Sequence, residues 1–207
     1  MARKRFYDTT HDEACYLLQV DTIVDRCADE PFTLTSEMRA YLVSLLKRFD
    51  SFYEIDVLSY VILPTKIQLC VCRRKNASES LSLLEVAERQ QKFLSKKKRI
   101  DARSVECRHV KERMNSISDF MGRFLQEASS AINSQFGDWH GHVWRERFKS
   151  HFLSDESSFR ACLKEVEEGA AGTDGYPYSS FGEEDMKSCE VYRNRIENSL
   201  GFYQNIS

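Results

Sequence analysis

Side chains with chemical potential gather at a few places along the 207 residues. Cys70-Val71-Cys72 sets two thiols two residues apart, and His140-Gly141-His142 does the same with imidazoles. Either pattern could present paired donors to a divalent metal. No second cysteine pair accompanies the first, so small buried hydrophobes on a strand are its simpler account. The histidine pair sits between Trp139 and Trp144, where a turn is the simpler account. Glu165, Glu167 and Glu168 could offer carboxylates, although three acids near a helix end are ordinary solvated surface. Tyr176 and Tyr178 carry phenols that could attack a phosphodiester, with packing as the alternative. Arg145, Arg147 and Lys149 surround Trp144 and Phe148, joining fixed positive charge to aromatic faces on which an unpaired base could stack.

The charge distribution singles out the same region. Residues 1–90 carry 12 Lys/Arg against 14 Asp/Glu, residues 91–151 carry 13 against 7, and residues 152–207 carry 5 against 11. A total of −2 therefore conceals a middle of +6 and an end of −6. A basic middle can face a polyanion while an acidic end stays clear of it or covers it. Lys97, Lys98 and Arg99, with Arg73, Arg74 and Lys75, extend the basic set. Seven cysteines, an odd number, speak against a disulfide framework and for free thiols in a reducing compartment. No apolar run approaches a membrane span, and no apolar segment follows Met1-Ala-Arg-Lys-Arg, so a secretory signal is not expected. The expectation is a cytoplasmic protein without a membrane partner.

These residues need elements to position them. Residues 1–12 read as a basic arm, and the length favours one domain with an appendage. A strand from Ala14 to Ile23 puts Cys15, Leu17 and Gln19 on one face and Tyr16, Leu18 and Val20 on the other. Thr35 or Ser36 caps a helix with Met38, Tyr41, Leu42, Leu45, Leu46 and Phe49 on one stripe. Ile55 to Leu63 is apolar on both faces, the pattern of a central strand. Pro64-Thr65 turns into a partner strand whose Ile67, Leu69 and Val71 oppose Lys66, Gln68, Cys70 and Cys72. Residues 79–99 read as a helix and residues 100–113 as charged and poorly patterned, together forming a helical insertion over 76–113. Ile117 to Ile132 holds the best helical register, with Ser116 and Asp119 as a capping box and Gly137 as the stop. A turn and strand over 139–153, a short helix from Phe159 to about Gly169, a loop over 170–184 and a terminal helix in an acidic segment, 182–207, complete the order. This β-α-β-β-(α)-α-β-α order with a central hairpin predicts an α+β, ferredoxin-like (split βαβ) antiparallel sheet with helices on one face, plus extra helices.

Four blocks of the chain carry a resemblance. Val57 to Val71, VLSYVILPTKIQLCV, resembles the VLAYCLMPNHFHLLV segment of HUH-class tyrosine transposases of bacterial insertion sequences, including the REP-associated tyrosine transposases. Ile117 to Asn133 resembles their long helix, Gly141 to Ser150 their GHLWQGRYKS block, and Tyr176 to Ser180 their closing YPWSS. Order and spacing hold from about residue 12 to residue 181, which places a transposase-like domain over 13–181. The resemblance implies a ferredoxin-like fold, DNA as partner (hairpin or single-stranded), a nucleoid-associated location in a bacterium and a metal-dependent nicking reaction. Insertion-sequence relatives are dimers that complete each other's sites, whereas REP-associated relatives can be monomers, so a homodimer stays open.

The departures from the family pattern fall on its reacting groups. Where the family strand carries His-hydrophobic-His for Mg2+ or Mn2+, this chain has Lys66 and Gln68. A protonated lysine cannot ligate, and a neutral amide oxygen is a weak ligand. The nucleophilic Tyr aligns with Glu165, and the polar residue that follows it in relatives aligns near Gly169. A carboxylate there would repel the target phosphate and form an unstable acyl phosphate. If positions 66, 68 and 165 converge, Lys66 and Glu165 are expected to pair in place of the metal. The reading is therefore a DNA-binding relative without a metal cofactor and without the nicking activity. Two alternatives stand beside it: an active nickase with substituted ligands, and an interaction module that binds no DNA.

Overall fold

Apolar alternation in the first strand and the central hairpin sets the sheet, and two helical stripes cover one side of it. The computed structural model describes residues 13–25, 30–74, 77–94, 100–135, 141–171, 176–180 and 186–206. The expected basic arm, Lys75, Lys97, Lys98, Arg99, Trp139, His140 and the Gly137 stop lie outside the described residues. Strand β1 (Glu13–Asp21) leads through the short ribbon β2 (Val24–Asp25) and β3 (Glu30–Pro31) into helix α1 (Ser36–Asp50). Strands β4 (Ile55–Ile62) and β5 (Lys66–Arg74) form the hairpin. Helices α2 (Leu83–Phe93), α3 (Val105–Arg113) and α4 (Ile117–Gln135) follow, then β6 (Lys149–Leu153), α5 (Glu156–Ala171) and α6 (Met186–Ile206).

The main sheet runs β4-β5-β1-β6 with all neighbours antiparallel. With α1 and α4 as its crossover helices this is the ferredoxin-like βαββαβ arrangement, an α+β fold. On one face Tyr16, Leu18, Ile67, Leu69 and Val71 meet Leu42, Leu46 and Phe49 of α1 and Phe120, Phe124 and Ala128 of α4. Thr35 caps α1 by accepting from the Met38 N–H at 3.3 Å. Asp119 N–H donates to Ser116 Oγ at 3.2 Å, which is half of the expected capping box. The other half is not made: the Ser116 N–H donates to Arg113 O at 3.0 Å, and the Asp119 carboxylate accepts from the Tyr53 hydroxyl at 2.6 Å.

The opposite face is covered as well. Phe159, Cys162, Val166 and Ala170 of α5 and Tyr203 of α6 pack on Cys15, Leu17, Leu58, Val61, Cys70 and Cys72. This explains the apolar pattern of β4, which is an edge strand and not the central strand its sequence suggests. Both its faces are buried, and its open edge is partly occupied: Ser180 N–H donates to Tyr60 O at 3.0 Å, and Arg195 Nη1 donates to Val57 O at 2.9 Å. Residues 105–113, poorly patterned in sequence, form α3, capped by Ser104 and anchored by only Cys107 and Val110. Among the described residues no helix is long and apolar enough to cross a membrane.

Candidate functional site

One transverse row of the sheet carries Gln68, one of the two strand positions singled out in sequence. Register sets Val61 of β4, Gln68 of β5, Gln19 of β1 and Lys149 of β6 side by side, with Cβ atoms toward α5. Above the row, Glu165 Oε1 accepts from Gln68 Nε2 at 2.7 Å and from Gln19 Nε2 at 3.0 Å. One helical turn on, a β-carbon at Gly169 would lie 3.4 Å from Gln68 Oε1 and 3.7 Å from Val61 Cγ1. A side chain at 169 would therefore sit in ordinary contact with the strand beside Gln68. Of the three positions expected to converge, 68 and 165 meet, with Gly169 beside them, and 66 does not join them.

The expected Lys66–Glu165 ion pair does not form. Lys66 shares a face with Gln68 but lies one row away, in register with Asp21. The carboxylate oxygen it would have met is taken by two amides. Asp21 pairs instead with Lys149, at 3.8 Å on the surface. Gln19 is the residue that sequence reasoning left without a role. Its signal was present: a polar side chain ending the apolar run Cys15, Leu17 on the face that α5 covers.

The donor set does not suit the divalent metal of the family reaction. Lys66 brings a cation, and Gln68 turns its amide nitrogen toward Glu165, which leaves one carboxylate among amides. Among the described residues no three His, Cys, Asp or Glu side chains gather where they could hold a metal ion. Glu167 and Glu168 are exposed, and Glu168 pairs with Lys164 on the helix surface at 3.5 Å. His142 is exposed, away from the row.

Of the tyrosines, the side chain of Tyr176 lies outside the described residues, and Tyr178, Tyr203 and Tyr53 are engaged as follows. Tyr178 is half-buried, with the Arg39 guanidinium 4.3 Å from its ring centre. The Tyr203 hydroxyl donates to Leu153 O at 2.7 Å, and burial pushes that phenol well above its ordinary value. Tyr53 is likewise held protonated by burial and by the Asp119 carboxylate. Behind the row, Cys70 faces Cys162 and Cys72 faces Cys15; thiol hydrogen bonding and burial push Cys70 and Cys72 upward. They are core groups, not nucleophiles.

The basic candidates divide. Arg74 is held by Glu13 and Asp56 at 2.7 Å each, and Arg73 Nε donates to Asn115 O at 3.1 Å. Lys111 is likewise spent on the carbonyls of Glu79 and Leu81. Arg145, Arg147 and Lys149 stay exposed. Their segment is stitched to the end of β1: Ile23 N–H donates to Val143 O at 2.8 Å and Arg145 N–H to Asp21 O at 3.0 Å. Pairing resumes at Lys149 with Gln19, so Arg145–Phe148 oppose only Val20 and Asp21 and must bow outward. Phe148 turns in and is buried, while Trp144 is half-buried and donates its Nε1–H to Leu125 O at 3.0 Å. A cleft of about 120 Å³ opens here between Gln19, Asp21, Arg145, Glu146, Arg147 and Lys149. The basic loop thus adjoins the row that carries Gln68 and Glu165.

No family model matches the sequence, and no curated protein matches it. Two solved structures are similar to the chain. One is a REP-associated tyrosine transposase bound to a REP hairpin, 10% identical, with a TM-score of 0.43 over 83% of this chain and 74% of that one. The other is a protein assigned as a transposase from Deinococcus radiodurans R1, 14% identical, with a TM-score of 0.38 over 82% of this chain and 97% of that one. Both are loose likenesses, and the fold assignment stands on strand order and register.

Proposed function

We propose that the chain is a DNA-binding protein on a tyrosine-transposase scaffold, engaging hairpin or single-stranded DNA without cutting it. The observation that carries this reading is the convergence of positions 68, 165 and 169 beside the basic loop. These are the positions where the family resemblance expects a metal ligand, the nucleophile and its polar neighbour. The meeting of Gln68, Glu165 and Gly169 supports reading the last helix against the family pattern. What they present there is a glutamine, a carboxylate and a glycine. The reaction needs a phenolate to attack phosphorus and a metal to polarise the phosphate. Glu165 supplies no stable phospho-adduct, and the amide pair supplies no Lewis acid.

The DNA-facing chemistry is of another kind, and of its residues only Lys149 belongs to that row. Arg145, Arg147 and Lys149 are exposed and fixed at the edge of β6, where they can contact phosphate. Titration of full-length protein against a labelled DNA hairpin over a series of salt concentrations tests the reading. Affinity should fall steeply with salt, and Ala at all three basic positions should flatten the log–log slope by about 2 to 3. Absence of any binding at low salt would contradict it.

A further inference from the structure

A groove of about 620 Å³ lies between α4 and the loop that carries the basic residues. Gly122, Leu125 and Gln126 form its α4 wall; His142, Trp144 and Arg147 form the other. We propose that this groove receives one unpaired base of a bound DNA strand, an assignment that rests on the DNA-binding reading above and gives it a location.

Three observations converge on that occupant. The first is shape. The volume falls within the range of about 300–1,000 Å³ typical of small-molecule sites, enough for a nucleobase with its sugar. At Gly122 a β-carbon would meet nothing within 4 Å, so the chain's own packing has no need of glycine there. The surface of α4 at Gly122 is therefore open space at the side of the groove.

The second is a stacking surface already in place. The Trp144 indole is tethered through Nε1 to Leu125 O, so its ring is held at the wall before anything binds. An aromatic surface that is fixed in advance loses little entropy when a base stacks on it.

The third is charge. Glu146 and Arg147 line both this groove and the smaller cleft, whose remaining cations are Arg145 and Lys149. A strand with a base in the groove would therefore lay its adjoining phosphates along Arg147, Arg145 and Lys149. A free apolar ligand would have no use for that row of cations; a nucleotide within a polyanion does.

The test uses full-length protein and two fluorescent 12-mers, one of deoxyadenosine and one with every base removed, so that charge is matched and stacking is not. Wild type should bind the adenine strand at least tenfold more tightly than the abasic strand. Gly122→Phe, which fills the groove from a position with open space, should reduce that preference to less than twofold while leaving abasic binding as it was. Gly122→Ala, which adds only one methyl and favours the helix, should keep the preference and show that position 122 tolerates substitution. Circular dichroism and the thermal midpoint of Gly122→Phe establish that it is folded; if it is not, Gly122→Leu takes its place. Wild-type binding without a preference for bases, or a folded groove-filling variant that keeps the preference, would overturn the assignment and leave the DNA-binding reading intact. Failure of wild type to bind either strand would overturn both.

Discussion

Gln68 on β5 donates its side-chain amide to Glu165 on α5 at 2.7 Å, across 97 residues of sequence. Gln19 reaches the same oxygen from the neighbouring strand at 3.0 Å, so one carboxylate ties a helix to two strands. Gln68 is only 3% exposed and depends on that acceptor more than Gln19 does. Glu165→Ala should lower the unfolding free energy by about 1–2 kcal/mol, because a buried amide loses its partner. Glu165→Gln keeps an acceptor oxygen and should cost less than half as much. Urea denaturation with an unchanged m-value checks both.

The convergence of the row also predicts that metal chemistry can be reinstated. Lys66→His and Gln68→His together place two imidazoles on one face of β5, and Glu165→Tyr returns a phenol above them. The triple variant should bind Mn2+ in isothermal titration, where the wild-type chain should give no heat of binding. Adding Gly169→Asn should tighten it further. Equal Mn2+ affinity in wild type and variant would show that the row was never the metal position.

Arg195 of α6 spans the edge of β4, bonded to Asp50 through Nη1 at 2.9 Å and to Val57 O at 2.9 Å. Burial raises the Asp50 carboxyl above its ordinary value, against the pull of Arg195, with Asp56 adding a further rise. A carboxyl raised on folding favours the native state while protonated, and that contribution fades as pH climbs through its folded value. Above that pH the charged Asp50 relies on Arg195. Arg195→Ala should therefore cost about 2–3 kcal/mol near pH 8 and progressively less toward pH 4, as read from urea midpoints across that range.

Five of the seven cysteines, Cys15, Cys70, Cys72, Cys107 and Cys162, are buried. They should resist a thiol reagent in the native protein and react once it is unfolded. Mass spectrometry after a brief iodoacetamide pulse reads this residue by residue. Rapid native labelling of Cys70 or Cys162 would mean that α5 detaches from the sheet.

Much of the fold was legible because its signals are local. The stripe of α1, the two faces of β1 and β5, and the register of α4 each need only neighbouring residues to be read. The edge position of β4 was not legible, since burial on both faces looks the same whether other strands or helices and residues 179–180 provide it. Helix α3 was missed because Cys107 and Val110 alone anchor it, too few to show a period. At the site, Gln68, Glu165 and Gly169, which the family resemblance singled out, lie together in the fold, whereas Lys66, expected to pair with Glu165, lies one row away. A two-residue spacing gives the face of a strand, not which row a helix side chain reaches. Arg73 and Arg74 looked as free as Arg145 and Arg147, because sequence does not reveal which cations the fold consumes.

The central claim, binding without cutting, meets its most direct test in a native gel and a denaturing gel run from the same samples. Labelled single-stranded and hairpin DNA are incubated with the full chain in Mg2+ or Mn2+, and each sample is divided between native and denaturing lanes. The account predicts a salt-sensitive shift in the native lane and free, full-length DNA in the denaturing one. A protein–DNA adduct that survives denaturation would contradict it.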